Sequence, residues 1–103
     1  MKTHEEYMEL ALEEARKAEE IDEVPVGCVI VCDGEVISRG HNLKEQLNQA
    51  YAHAEMMAIQ KAAEVKGNWC LNDCDLYVTL EPCMMCTGII NLSRIRTVYY
   101  GTT

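Results

Sequence analysis

The sequence has no phenylalanine, one tryptophan and five tyrosines, so its core must be aliphatic, built from Ile, Val, Leu, Met and Ala. Long apolar runs are missing as well. The longest, Val24 to Cys32, is interrupted by Pro25 and Gly27 and is far shorter than the roughly 20 residues a helix needs to cross a bilayer. The opening residues, MKTHEEYMEL, carry no apolar stretch behind a basic start, so no secretory signal is expected. Cations are scarce: nine Lys and Arg face 17 Asp and Glu, a net charge of −8. Taken alone, that deficit counts against a nucleic-acid partner, because phosphate contacts draw on Lys and Arg. The distribution softens it. Residues 1–23 hold nine acids against three bases, and residues 24–103 hold eight against six, so most of the excess lies on one N-terminal segment.

What is present suits a globular chain: 49% of residues are hydrophobic and 25% charged, over a length of 103, typical of one domain with one core. Residues 1–103 are therefore expected to form a single domain. Six cysteines would suit a disulfide scaffold in a small secreted protein. Without a secretory signal, reduced thiols in the cytoplasm are the expectation, and the Cys83-x-x-Cys86 pair then points to metal or redox chemistry.

Local signals set the order of elements. Thr3 and Glu6 have capping-box spacing, followed by Met8, Ala11, Leu12, Ala15 and Ala18 at helical intervals. The spacing predicts an amphipathic helix over residues 4–20 with a solvated acidic face. Gly27 to Cys32 is β-branched, Asp33-Gly34 is a hairpin turn, and Glu35 to Arg39 alternates. A polar loop is expected from Gly40 to Asn48. Residues 52–66 form a helix rich in Ala and Met, ended by Gly67. Leu76 to Leu80 is a strand, Pro82 opens a helix reaching about Leu92, and Ile95 to Tyr100 is a last strand. The order α-β-β-α-β-α-β predicts a mixed three-layer α/β sheet, with parallel neighbours across the two strand–helix–strand steps.

Two constellations carry chemistry, His53-Ala54-Glu55 and Pro82-Cys83-Met84-Met85-Cys86, each opening a helix. Free N–H groups and the positive end of the helix dipole favour thiolate over thiol there. Cys83 and Cys86 share one helical face, and His53 adds an imidazole. Three N/S ligands with an open fourth position suit a catalytic zinc better than a structural one. Glu55 stands where a general acid/base is needed. Either motif alone is a weak signal; together they form the H-x-E…P-C-x-x-C signature of zinc nucleobase deaminases. Other candidates have plainer readings. His4 and His41 are expected at the surface or in a loop, Cys28 and Cys32 as core thiols on one strand face, and Cys70 and Cys74 as structural or incidental. Met56, Met57, Met84 and Met85 read as core or interface filler, and Glu81 as a helix-start residue.

The chain closely resembles the bacterial tRNA-specific adenosine deaminases of the cytidine deaminase superfamily. The resemblance rests on EVPVGCVIV at 23–31, GHN at 40–42, AHAEMMAI at 52–59, GNW at 67–69, LYVTLEPCMMC at 76–86 and LSRIRTVYYG at 92–101. GNW and LSRI resemble the tRNA enzymes more than deaminases of free bases or nucleotides. The chain differs in Gln49-Ala50-Tyr51, where the family usually has Asp-Pro-Thr, and in lacking the family's further helix, strand and helix.

The resemblance implies the cytidine deaminase-like fold, one zinc per chain held by His53, Cys83 and Cys86, and hydrolysis of adenosine to inosine at the tRNA wobble position. It implies Glu55 as proton carrier and Asn42, Ala54 and Val26 as substrate-binding residues, with the base against His53 and the Cys83 N–H supporting the attacking oxygen. Deamination of cytosine, deoxycytidylate or guanine is the alternative, or a truncated zinc-binding module inactive alone. With no further segment after Thr103, residues 95–100 are expected at a sheet edge. The chain is expected to form a homodimer or higher oligomer through Met84, Met85 and Ile89, and to act on the tRNA anticodon loop weakly and with steep salt dependence.

Overall fold

A computed structural model describes residues 2–102. Helix α1 spans His4–Glu20 and starts with a reciprocal capping box: Glu6 N–H donates to Thr3 Oγ1 at 3.2 Å, and Thr3 N–H donates to the Glu6 carboxylate at 3.0 Å. Strands β1 (Gly27–Cys32) and β2 (Glu35–His41) are joined by Asp33 and Gly34 at φ 52° and 79°. Two left-handed residues match the right-handed twist of the flanking strands. Beyond them come α2 (Lys44–Leu47), α3 (Ala54–Lys66), β3 (Cys74–Leu80), α4 (Met84–Leu92) and β4 (Thr97–Thr102). Helix α3 ends on Gly67 at φ 67°, as its position predicts.

The sheet order is β2-β1-β3-β4. Strands β3 and β4 are parallel neighbours, as expected. The other strand–helix–strand step departs from expectation. Strands β2 and β3 run in the same direction, but β1 lies between them and pairs antiparallel with both. Burial explains the arrangement. Every residue of β1 is buried, whereas Glu35 of β2 is exposed and most of that strand only half-buried, so β1 takes the interior position.

The side-chain period of two then divides β1 between two cores. Val29 and Val31 join Tyr77 and Tyr7 beneath α1. Cys28, Ile30 and Cys32 join Leu76, Val78 and Ile90, with Ala54, Ala58 and Ala62 of α3, on the opposite face. The layers are α1, sheet, and α3 with α4: the α/β fold expected from the order of elements.

Three local expectations are corrected. The buried face of α1 is Tyr7, Ala11, Glu14, Ala15 and Ala18, and Leu12 is 39% exposed. A Cβ added at Gly27 would lie 2.0 Å from Ala11 O and 2.4 Å from Ala15 N, so the helix backbone rests on the strand there and turns its small residues inward. The acidic face is not wholly solvated. Glu14 is 3% exposed and accepts from Lys17 Nζ at 2.7 Å and from His41 Nδ1 at 2.9 Å. Within the expected polar loop, residues 44–47 form a helical turn, because the buried Glu23 carboxylate accepts the N–H groups of Glu45 (3.1 Å) and Gln46 (2.7 Å). His4 is exposed, yet its ring lies 4.5 Å from that of Tyr99 and its Nδ1 meets the Tyr77 hydroxyl.

The last strand begins two residues later than predicted, because Arg94 turns at φ 64° and Ile95 N–H closes the end of α4 on Ile90 O. Among the described residues β4 lies at one edge of the sheet; Thr103 lies outside them. No described helix is long and apolar enough to cross a membrane.

Candidate metal centre

Two helix N-termini meet at one end of the sheet. The start of α3 is pressed onto β2 at Gly40, where an added Cβ would lie 2.6 Å from Ala54 O and 2.7 Å from Ala58 N. No larger residue permits that approach without moving the helix. His53 is the N-cap of α3, extended at ψ 160° and making no side-chain capping bond, which leaves its imidazole available. Cys83 is the N-cap of α4, equally extended at ψ 175° and without a side-chain cap. The opening of β1 is tied to β3 by Gly27 N–H donating to Thr79 Oγ1 at 3.1 Å. Asn42 is tied to the same segment by its N–H on Val26 O at 3.2 Å.

The chain thereby brings three donor atoms together. His53 Nδ1 is 3.7 Å from Cys83 Sγ and 3.6 Å from Cys86 Sγ, and all three ligand atoms lie within 4.8 Å of one another. Cys86 is fully buried, His53 half-buried and Cys83 exposed. Burial, then the charge of Glu55, pushes the Cys86 thiol well above its ordinary value. A buried thiol beside a carboxylate becomes thiolate only with a cation to compensate it. One imidazole and two sulfurs are a zinc donor set with the fourth position open, so these residues fit that metal.

Glu55 is 4% exposed and, with His53 and Cys83, lines a pocket of about 240 Å³. Burial raises its carboxyl from the ordinary value, with the neighbouring His53 opposing the shift. Val24, Val26 and Leu80 give the pocket apolar sides, and Asn42 and Lys44 polar ones. Asn42 Oδ1 accepts Lys44 N–H at 3.2 Å, and its carboxamide N–H groups have no partner among the described residues.

Every candidate site residue read from the sequence falls in this region: His53, Cys83 and Cys86 converge, and Asn42, Ala54, Val26 and Glu55 border the same pocket. Lys44, Val24 and Leu80 went unread, since nothing local marks them; they flank Asn42, Val26 and Glu81 in sequence. Glu81 stands two residues before the N-cap of α4. Its N–H pairs with Thr102 O at 2.8 Å, and it lines the pocket. His41 is bound to Glu14. Cys28 is a core thiol, as expected. Cys74, expected as structural or incidental because no His or Cys partner lies close to it in sequence, is a buried core residue and sits beside Cys32 and Asp73 in a second cluster of donor atoms.

Comparison with known proteins agrees with the site. A family model for the cytidine and deoxycytidylate deaminase zinc-binding region matches residues 1–102. A tRNA-specific adenosine deaminase of Streptococcus pyogenes serotype M18 is 56% identical over 97 residues, covering 94% of this chain and 61% of that protein. A solved structure from a study of A-to-I editing by tRNA:A34 deaminases superposes with TM-score 0.93 at 53% identity, over 95% of this chain and 75% of the other. A guanine deaminase from Bacillus subtilis superposes with TM-score 0.95 at 39% identity, over 98% of this chain and 65% of the other. The chain spans about three-fifths of the length of the bacterial tRNA-specific adenosine deaminases it matches.

Proposed function

The chain belongs to the cytidine and deoxycytidylate deaminase family of zinc-binding domains, and from that premise we propose that it deaminates adenosine to inosine at the wobble position of tRNA, as one domain of residues 1–103 holding one zinc. His53, Cys83 and Cys86 hold the metal, which when bound lowers the pKa of a water and polarises it for attack. Glu55 moves the protons. Its carboxylate takes one from the attacking water and delivers it to the ring nitrogen, and a second passage hands a proton to the departing amine. Adenosine and water become inosine and ammonia, with nothing else consumed. The raised carboxyl of Glu55 suits a group that must hold a proton between those steps.

Asn42 orients the base by donating from its carboxamide to a ring acceptor, while Val26 and Ala54 pack against it and the ring lies over His53. The N–H of Cys83, at the positive end of α4, supports the oxygen as it adds. The observation that carries this reading is that Glu55 and two of the three converging donors border one pocket. The choice of tRNA adenosine rests on the relatives at 53–56% identity. The likeness to a guanine deaminase favours a second reading, deamination of a free base in the same pocket. A cytoplasmic location and a homodimer complete the proposal.

The test is product analysis. The zinc-loaded chain is incubated separately with an anticodon stem-loop bearing wobble adenosine, with guanine, with cytosine and with deoxycytidylate, and ammonia is measured. Ammonia and inosine are expected from the stem-loop alone, with a rate falling steeply as salt rises. Ammonia from guanine and none from the stem-loop would transfer the assignment to the base deaminase.

A further inference from the structure

A second reactive cluster lies at the opposite end of α3 from the metal centre. Cys32 closes β1 and Cys74 opens β3, and the two are direct cross-strand partners in the antiparallel pairing. Both belong to the core beneath α3, so both side chains leave the sheet on one face. Opposed antiparallel residues have Cα atoms about 4.5–5.5 Å apart, inside the window of about 4.4–6.8 Å that a disulfide spans. Their sulfurs lie within 4.8 Å of each other, together with an Asp73 carboxylate oxygen, and both thiols are free.

The surroundings are not those of two inert core thiols. Lys66, in the last turn of α3, donates from Nζ to Cys32 Sγ at 3.5 Å and to Asp73 Oδ2 at 2.6 Å. Asp73 accepts from Cys32 Sγ at 3.3 Å and from Cys74 Sγ at 3.4 Å. The Lys66 ammonium lies within hydrogen-bond reach of the Cys32 sulfur, placed to pair with it as it reacts. Cys32 is 8% exposed and Cys74 0%, so an oxidant reaches Cys32 first, past the partly exposed side chains of Lys66 and Asp73. The ammonium already pairs with two of the three donors, Cys32 and Asp73, which counts against a second metal.

We propose that Cys32 and Cys74 are an oxidative modification site, a thiol pair that closes to a disulfide in the presence of a peroxide and locks β1 to β3. The Cys32 thiolate attacks one oxygen of hydrogen peroxide, the O–O bond breaks, and hydroxide leaves, giving a sulfenic acid on Cys32. Cys74 sulfur then attacks Cys32 sulfur. The S–S bond forms, the S–O bond breaks, and the departing hydroxide leaves as water with the Cys74 proton. Two thiols lose two electrons and two protons, and one peroxide becomes two waters. Cys32 is the thiol an oxidant can reach and Cys74 is fully buried, so Cys32 serves as the attacking thiol and Cys74 as the resolving one.

The experiment uses the zinc-loaded chain, in which Cys83 and Cys86 are shielded by the metal. After treatment with hydrogen peroxide, peptides are mapped by mass spectrometry without reduction. A Cys32–Cys74 linked peptide pair, 2 Da lighter than its reduced parts and released by dithiothreitol, is expected. Lys66→Met should slow its formation by roughly 3–10-fold, the loss expected for one charge-assisted hydrogen bond on a half-exposed group. Cys74→Ser should leave Cys32 trappable by dimedone. Should that variant fail to fold, the wild-type map and the Lys66→Met rate still decide. Failure of Cys32 and Cys74 to pair under peroxide that oxidises free glutathione would overturn the proposal. So would a second equivalent of zinc that is lost in Cys32→Ser.

Discussion

Glu14 shows how one acid read as solvated becomes part of the structure. Burial works to raise its carboxyl, but hydrogen bonds from Lys17 and His41 outweigh it and hold the group below the ordinary value. The folded chain therefore keeps Glu14 ionised at a pH where the unfolded chain has already bound a proton. Its stabilisation is fully present above the ordinary glutamate value of about 4.3 and is lost as pH falls through the lower folded value. Glu14→Gln should cost about 1–3 kcal/mol at pH 7, and urea melts at successively lower pH should show the gap between variant and parent closing. At the metal centre, Glu55→Gln should leave zinc content unchanged, because Glu55 is not among the three donors, while turnover falls by about 10²–10⁴-fold. Cys86→Ala should lose both zinc and stability, since metal binding and folding are coupled; metal analysis beside a thermal melt separates the two variants. Near-normal turnover in Glu55→Gln would remove its role as proton carrier.

Among the elements, the contact between α3 and β2 governs the site most directly. Gly40 lets the first turn of α3 lie on the strand, and that turn carries His53 and Glu55 at its head. Gly40→Ala puts a methyl 2.6 Å from Ala54 O, so the helix start must move. The expected cost is about 1–3 kcal/mol or more, with weaker zinc retention in a chelator competition as a second readout; unchanged zinc affinity would mean that the head of α3 is held by something else. The same scale shows what could be read from sequence. Thr3 with Glu6, Asp33-Gly34 and Gly67 act on backbone within a few residues, and each works where it was expected. His53, Cys83 and Cys86 were legible because metal chemistry demands those residue types at helix starts. The short helix α2 was not, because its cap, Glu23, comes from a segment about twenty residues upstream. The face of α1 depends on Gly27, which the helix's own periodicity cannot report. The antiparallel seat of β1 beside β3, and with it the meeting of Cys32 and Cys74, is set by which strand can be buried on both sides.

For the molecule as a whole, the question is what covers the outer face of α4. Met84, Gly88 and Leu92 follow one another at intervals of four along that helix. Met84 is 90% exposed and Leu92 67%, with Met85 at 40% beside them, and among the described residues no atom outside the helix lies within 4 Å of a Cβ built at Gly88. Leu71 N–H bonds to Ser93 O at 2.8 Å, which draws the loop bearing Trp69, itself 64% exposed, towards the end of the same helix. Ile89, also expected at the interface, is half-buried and packs against the core on its inner side. An apolar stripe of this kind is unusual on a free monomer and supports the proposed homodimer. The proposed homodimer pairs these stripes about a two-fold axis, Gly88 letting the two helices approach, and because Cys83 caps α4 the contact runs alongside the metal centre. Met84→Lys should weaken the dimer at least tenfold, about 1.4 kcal/mol, since the new ammonium must be buried without a partner. It should leave the zinc content of the monomer unchanged. Light scattering at micromolar concentration reads the result: a parent chain that already runs as an 11.6 kDa monomer would overturn the dimer, and a Met84→Lys variant as dimeric as the parent would move the contact to another face.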